Sequence, residues 1–199
     1  MIGALTVVIA YLLGSIPFGY LLVKLSTGKD VRTAGSGNIG ATNVLRTTGR
    51  PAAVATLILD MVKGFVAVWL AAKLTNESPD WSGLAALAVI AGHAFPVFLK
   101  FNGGKAVATF IGAFLYLTPL PMVAVLLVFV VVVAATRHIS AGSMVAAATF
   151  PLGVWIISHP PLPILLVALV AGIFIVVRHK SNFERLRSGT ENVFQWGRR

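Results

Sequence analysis

Gly103-Gly104-Lys105-Ala106-Val107-Ala108-Thr109-Phe110-Ile111-Gly112-Ala113-Phe114-Leu115-Tyr116-Leu117-Thr118-Pro119-Leu120-Pro121 is the stretch whose reading decides the architecture. Its apolar part, Val107–Leu117, reaches only about 17 Å as a helix. A bilayer core of ~30 Å needs ~20 helical residues. It is bounded by Gly103-Gly104-Lys105 on one side and by Thr118-Pro119-Leu120-Pro121 on the other. Non-helical backbone at membrane depth is tolerated only where protein or a wet cavity surrounds it. The reading is therefore a short span whose Gly-Gly-Lys entrance dips below the surface and lines a recess.

Working outward, six longer apolar stretches flank it, at 2–23, 51–72, 81–99, 120–135, 141–158 and 161–177. The first three longer stretches reach spanning length comfortably, and the last three fit a compact bundle. The composition agrees: 57% of the 199 residues are hydrophobic and 11% charged. A soluble domain of this size has no core able to hide so much apolar surface. Length suggests one domain, or two at most. Met1-Ile2-Gly3-Ala4-Leu5 has no basic residue ahead of its apolar run, so it reads as a permanent first span, not a cleaved leader.

Counting the short stretch as a span orders the charges. Lys24, Lys29, Arg32, Arg46 and Arg50, then Lys100 and Lys105, then Arg137, then the tail with Arg178, Lys180, Arg185, Arg187, Arg198 and Arg199, all fall on one side. The opposite connections carry one basic residue, Lys73. A six-span count breaks this separation. The expected fold is all-α: a polytopic helix bundle of about seven transmembrane helices, one short, with the N-terminus outside and the C-terminus cytoplasmic. No internal repeat is evident.

The net charge of +10 sits in short loops between apolar runs, which points to anionic lipid or a phosphorylated substrate and away from nucleic acid. There are no cysteines, so thiol nucleophiles and thiolate metal sites are excluded. The chain has six acidic residues and no HExxH, no His/Asp ligand cluster and no Gly-x-Ser-x-Gly. Metal-dependent phosphotransfer and covalent serine hydrolysis are disfavoured, and no metal or cofactor is expected.

Three segments can carry chemistry. In Gly35-Ser36-Gly37-Asn38-Ile39-Gly40-Ala41-Thr42-Asn43, glycines let backbone N–H groups converge on an anion, and a helix starting near Thr42 adds donors. Arg46 beyond it can grip phosphate in two-pronged fashion. The same composition also describes an ordinary flexible loop. The second segment is Gly92-His93-Ala94-Phe95-Pro96 followed by Gly103-Gly104-Lys105. It has the logic of a phosphate loop without its spacing. A snorkelling Lys105 and a His93 satisfied within the bundle are the plain alternatives. The third is Arg178-His179-Lys180-Ser181-Asn182, a basic flank on anionic lipid that leaves His179 and Asn182, three apart on one helical face, unexplained. Asp60 and Lys63 in the second span read as a local ion pair. Ser143, at the start of the sixth span, can cap that helix or bind a ligand.

In this order the segments closely resemble the bacterial membrane acyltransferase family that moves a fatty acyl group from acyl phosphate to glycerol 3-phosphate. The resemblance extends to Tyr11-Leu12-Leu13-Gly14-Ser15-Ile16-Pro17-Phe18-Gly19 and to Leu59-Asp60 with Lys63-Gly64. It departs at Asn102, where the family usually has a basic residue, and at Ala106, where it usually has glycine. It implies a single integral membrane acyltransferase domain over 1–199, in the bacterial inner membrane with its active face cytoplasmic. Ser36, Arg46, Lys105, His179 and Asn182 are implied to contact glycerol 3-phosphate or acyl phosphate. Gly37, Asn38, Gly40, Thr42, Asn43, His93 and Gly104 are implied to shape the phosphate site, with Ser143 near it. The implied partners are glycerol 3-phosphate, acyl phosphate and membrane lipids, with no obligate protein partner. The competing reading is a transporter for organic phosphates or lipid; it expects matching broken spans in two halves, and the short fourth span has no counterpart.

Overall fold

The computed structural model describes residues 1–194; Arg198 and Arg199 of the basic tail lie outside the described residues. These form ten α-helices and, among the described residues, no strand. Two compact units divide the chain, the first covering Met1–Leu117 and the second beginning at Thr118.

The first unit contains α1 (Ile2–Ser15), α2 (Phe18–Thr27), α3 (Ala41–Thr47), α4 (Arg50–Leu74), α5 (Pro79–Ala94) and α6 (Val107–Leu117). The second contains α7 (Pro119–Thr136), α8 (Ile139–Ser158), α9 (Leu162–Arg178) and α10 (Lys180–Arg187). All seven apolar stretches are helical, and α6 has the bounds read from the sequence. Among the described residues five segments are long and apolar enough to cross a membrane, and a sixth if α9 and α10 count as one bent span. The seventh apolar segment is α6, short as expected. Four of the long helices, α4, α5, α7 and α9, carry proline at their first or second position. There its missing N–H has no helical partner to lose and its fixed φ suits the first turn.

The sequence reading needs three corrections. The stretch 2–23 is not one straight helix. Pro17 has no N–H and its ring bars the helical path, so the chain breaks between α1 and α2, and the Leu13 carbonyl is taken instead by the Ile16 N–H at 3.2 Å. His179 and Asn182 do not share a continuous helix: α9 ends at Arg178, and α10 departs at 52°. Ser143 is not a cap, because α8 already starts at Ile139 and the Ser143 hydroxyl donates to the Ile139 carbonyl at 2.9 Å.

Within the first unit α1 packs on α5 and on α4, and α4 on α6. Paired glycines let these backbones approach. A Cβ on Gly14 or Gly92 would strike the facing α5 or α1 backbone, and one on Gly64 or Gly112 the facing α6 or α4 backbone. Lipid gives helices no hydrophobic drive to associate, so such small-residue contact is what holds them. In the second unit α8 packs on α7 and on α9, with Gly172 set against the Ala147 carbonyl.

Candidate functional site

The segment 28–49 of the first unit is an ordered structure with its own small core. Val23, Val31, Ile39, Val44, Ala53 and Leu99 are buried together beneath it. Asp30 accepts the Arg32 N–H at 2.9 Å, opening a 3₁₀ turn at Val31–Thr33, and pairs with the Arg32 guanidinium at 2.7 Å. The side-chain hydrogen bond from Arg32 holds the Asp30 carboxyl below the usual carboxylate range. Neither residue was read as a site residue from the sequence.

Asn43 is the organiser of this segment. It is buried, and its amide nitrogen lies within hydrogen-bond distance of the carbonyls of Val31 (3.1 Å), Ala34 (3.1 Å) and Asn38 (2.9 Å). Its oxygen accepts the Ser36 N–H at 2.8 Å. Asn43 thus faces inward and fixes where Ser36 and Asn38 stand. Gly35 and Gly37 have positive φ (61° and 69°), and a Cβ at Gly35 would collide with the Asn43 amide. Gly35 is required there on both counts. Asn38 Oδ1 accepts the Gly40 N–H at 2.8 Å, an Asx turn that leads into α3 one residue before Thr42. Ser36 and Arg46 are exposed, and Thr42 is half-buried.

The second segment reaches the same place. After α5 the chain makes a 3₁₀ turn at Val97–Leu99, then runs through Lys100 and Phe101, both at positive φ (52° and 61°). Asn102, the first departure from the family pattern, is exposed and bonds the Lys100 carbonyl at 2.9 Å. Gly104 is buried and donates its N–H to the His93 carbonyl at 3.1 Å. Its contribution to the site is therefore close approach, not an N–H aimed at ligand. A Cβ on Gly104 would collide with His93 Nε2 and come within 3.4 Å of Asn38 Oδ1. The structure thus brings the first and second sequence segments together at Gly104. Lys105 follows, half-buried, ahead of Ala106, which takes the glycine-like φ of 60° that the family pattern suggests.

Behind this turn, Asp60 and Lys63 form the ion pair read from their spacing, at 2.8 Å. Three links were not visible in the sequence. His93 Nδ1 lies 3.6 Å from Asp60 Oδ1 and 3.1 Å from Thr109 Oγ1, and Lys63 Nζ donates to the Ile16 carbonyl at 2.8 Å.

The second unit holds the third segment. His179 is buried at the α9–α10 junction, and its Nδ1 lies 2.7 Å from the Ile175 carbonyl. A carbonyl only accepts, so Nδ1 carries the proton, and in the neutral ring Nε2 has the lone pair. Asn182 is buried and donates to Glu191 Oε1 at 2.8 Å. Ser140 donates to the same oxygen at 3.0 Å, and Arg185 Nε to Oε2 at 2.7 Å. Burial raises the Glu191 carboxyl, but the hydrogen bonds from Asn182, Arg185 and Ser140 outweigh it and hold the group below its ordinary range. Glu191 was missed in the sequence, where it is one of two acids, with Glu184, in a basic tail. Its signal was its rarity, one of six acidic residues in the chain.

A family model described as Glycerol-3-phosphate acyltransferase matches residues 4–189. The glycerol-3-phosphate acyltransferase of Geobacter sulfurreducens is 48% identical over 187 residues, 94% of this chain and 95% of that protein. That of Trichlorobacter lovleyi is 50% identical over 188 residues, 94% of each. Two crystal structures of PlsY (YgiH), an integral membrane glycerol 3-phosphate acyltransferase, are also similar. The glycerol 3-phosphate form gives a TM-score of 0.91 at 37% identity, over 97% of this chain and 96% of that one. The lysophosphatidic acid form gives 0.88 at 35%, over 98% and 96%.

Proposed function

The chain belongs to the glycerol-3-phosphate acyltransferase family, and from that premise we propose that it transfers a fatty acyl group from acyl phosphate to the 1-hydroxyl of glycerol 3-phosphate. The products are 1-acyl-glycerol 3-phosphate and phosphate, the first acylation step of phospholipid synthesis. The observation that carries this reading is the junction at Gly104, where Asn38 and His93 arrive beside Lys105. A cationic side chain there is anchored on closely packed backbone, suited to an anionic substrate.

Acyl phosphate is an activated mixed anhydride, so no enzyme nucleophile is needed. The hydroxyl oxygen attacks the acyl carbonyl carbon. The bond from that carbon to the phosphate oxygen breaks, and phosphate leaves with the electron pair. Holding the two substrates together is worth ~7–11 kcal/mol of barrier. Ser36 and Arg46 hold phosphate from the organised 35–43 segment, and Lys105 stabilises the charge that develops on the reacting oxygens. The hydroxyl proton passes to an oxygen of the departing phosphate. The basic segments face the cytoplasm of the bacterial inner membrane, where both substrates are available.

The test uses purified protein in detergent with labelled glycerol 3-phosphate. Palmitoyl phosphate should yield labelled lysophosphatidic acid, and palmitoyl-CoA should not. Equal use of palmitoyl-CoA would overturn the donor assignment. Transfer in micelles, where no compartments exist, also separates an enzyme from a transporter.

A further inference from the structure

Four polar side chains from three helices of the first unit meet deep among apolar neighbours. Asp60 and Lys63 come from α4, His93 from α5 and Thr109 from α6, and all are buried. Charges inside a membrane protein are expensive and tend to mark function. A buried ion pair is also a poor way to hold helices together, since apolar residues of similar size often do as well or better. The Gly64 and Gly112 contacts already join α4 to α6 without any charge.

The distances suggest another use. The Nδ1 edge of the His93 ring faces Thr109 Oγ1 at 3.1 Å and Asp60 Oδ1 at 3.6 Å. The opposite nitrogen, Nε2, lies against Gly104, at the point that Asn38 Oδ1 also approaches. The backbone of His93 holds the same turn, because its carbonyl accepts the Gly104 N–H at 3.1 Å. Rotating the ring by half a turn would set a carbon against Thr109 and Asp60 and move Nε2 off Gly104. Lys63 balances the carboxylate at 2.8 Å and donates at 2.8 Å to the Ile16 carbonyl, at the break between α1 and α2.

We infer that Asp60 and Thr109 are positioning residues for glycerol 3-phosphate, which hold the His93 imidazole by its Nδ1 edge so that Nε2 stays against the Gly104 turn beside Lys105. They touch no substrate and act through His93. The inference rests on the proposed function, in which Asn38, His93 and Gly104 shape the phosphate site. Their loss therefore affects glycerol 3-phosphate, while the acyl donor is handled as before.

The experiment is steady-state kinetics on the full chain in detergent, with both substrates varied. Thr109→Val keeps the shape of the side chain and removes its hydroxyl. It should raise KM for glycerol 3-phosphate about tenfold, the scale of one lost hydrogen bond, with KM for palmitoyl phosphate within twofold. Thr109→Ser restores the hydroxyl and should restore KM. Asp60→Asn combined with Lys63→Met removes both charges together, which protects the fold from a lone buried charge. That double variant should unfold at a temperature near wild type and keep the raised KM. A wild-type KM in Thr109→Val, a parallel rise for both substrates, failure of Thr109→Ser to rescue, or recovery of KM in the double variant would each overturn the inference. If wild-type protein does not acylate glycerol 3-phosphate at all, the proposed function fails separately. Calorimetric binding of glycerol 3-phosphate to wild type and Thr109→Val then decides the inference alone: weaker binding by the variant supports it, and equal binding overturns it.

Discussion

The 28–49 segment of the first unit and the 179–194 segment of the second are both rich in polar residues, but they are ordered in different ways. The first is organised from within. Asn43 reaches three carbonyls and one N–H, all supplied by the twelve residues before it. The second is organised around an acid. Glu191 gathers Asn182, Arg185 and, from α8, Ser140. The 35–43 part of the first segment, fixed by an uncharged amide and glycine turns, keeps its shape over a wide pH range. A segment fixed by a carboxylate depends on that group staying ionised.

The difference can be tested by mutation. The largest effect is expected at the basic residue the first segment serves. Lys105→Ala should lower turnover by about 10²–10³, the scale for a lost charge-stabilising donor, with thermal unfolding unchanged; near-normal turnover would remove Lys105 from the site. Glu191→Gln comes next. It removes the charge that three donors share and should destabilise the second unit by about 1.5–3 kcal/mol, read by unfolding in detergent. The same group gives a pH signature. Its folded pKa lies below its ordinary value of about 4.3. Its contribution is therefore complete above that value and is lost as the pH falls through the lowered folded value. Hydrogen exchange across 182–194 should rise in that acid window, while exchange at 35–43 stays constant. Asn43→Ala should cost about 1–3 kcal/mol and open the 28–49 segment to proteolysis at neutral pH. The smallest effect is expected at Ala106→Gly. The positive φ of Ala106 costs about 1–2 kcal/mol, and a more flexible unfolded chain takes back part of the gain, leaving a stabilisation of about 0.5 kcal/mol.

The same contrast explains what could be read from the sequence. Hydropathy located all seven apolar helices, because membrane solvation writes itself into composition. It missed the break at Pro17, where a proline sits inside an otherwise unbroken apolar run, and it missed α10, whose polar residues carry no apolar signal. The Gly35–Asn43 segment was legible because its partners are close in sequence. Asn43 was read as one of the residues that shape the phosphate site, and the structure shows it as the internal brace of the turn. The pairing of Glu191 with Ser140 crosses 51 residues, and no periodicity reports it. The link from Asp60 to His93 likewise joins two spans, and the spacing of Asp60 and Lys63 revealed only half of that cluster.

The account rests on direct attack by glycerol 3-phosphate, with positioning and charge in place of an enzyme nucleophile. Rapid mixing of stoichiometric enzyme with palmitoyl phosphate, in the absence of glycerol 3-phosphate, tests this most directly. The account predicts no burst of phosphate until glycerol 3-phosphate is added. A burst equal to the enzyme concentration would reveal an acyl-enzyme intermediate and contradict it.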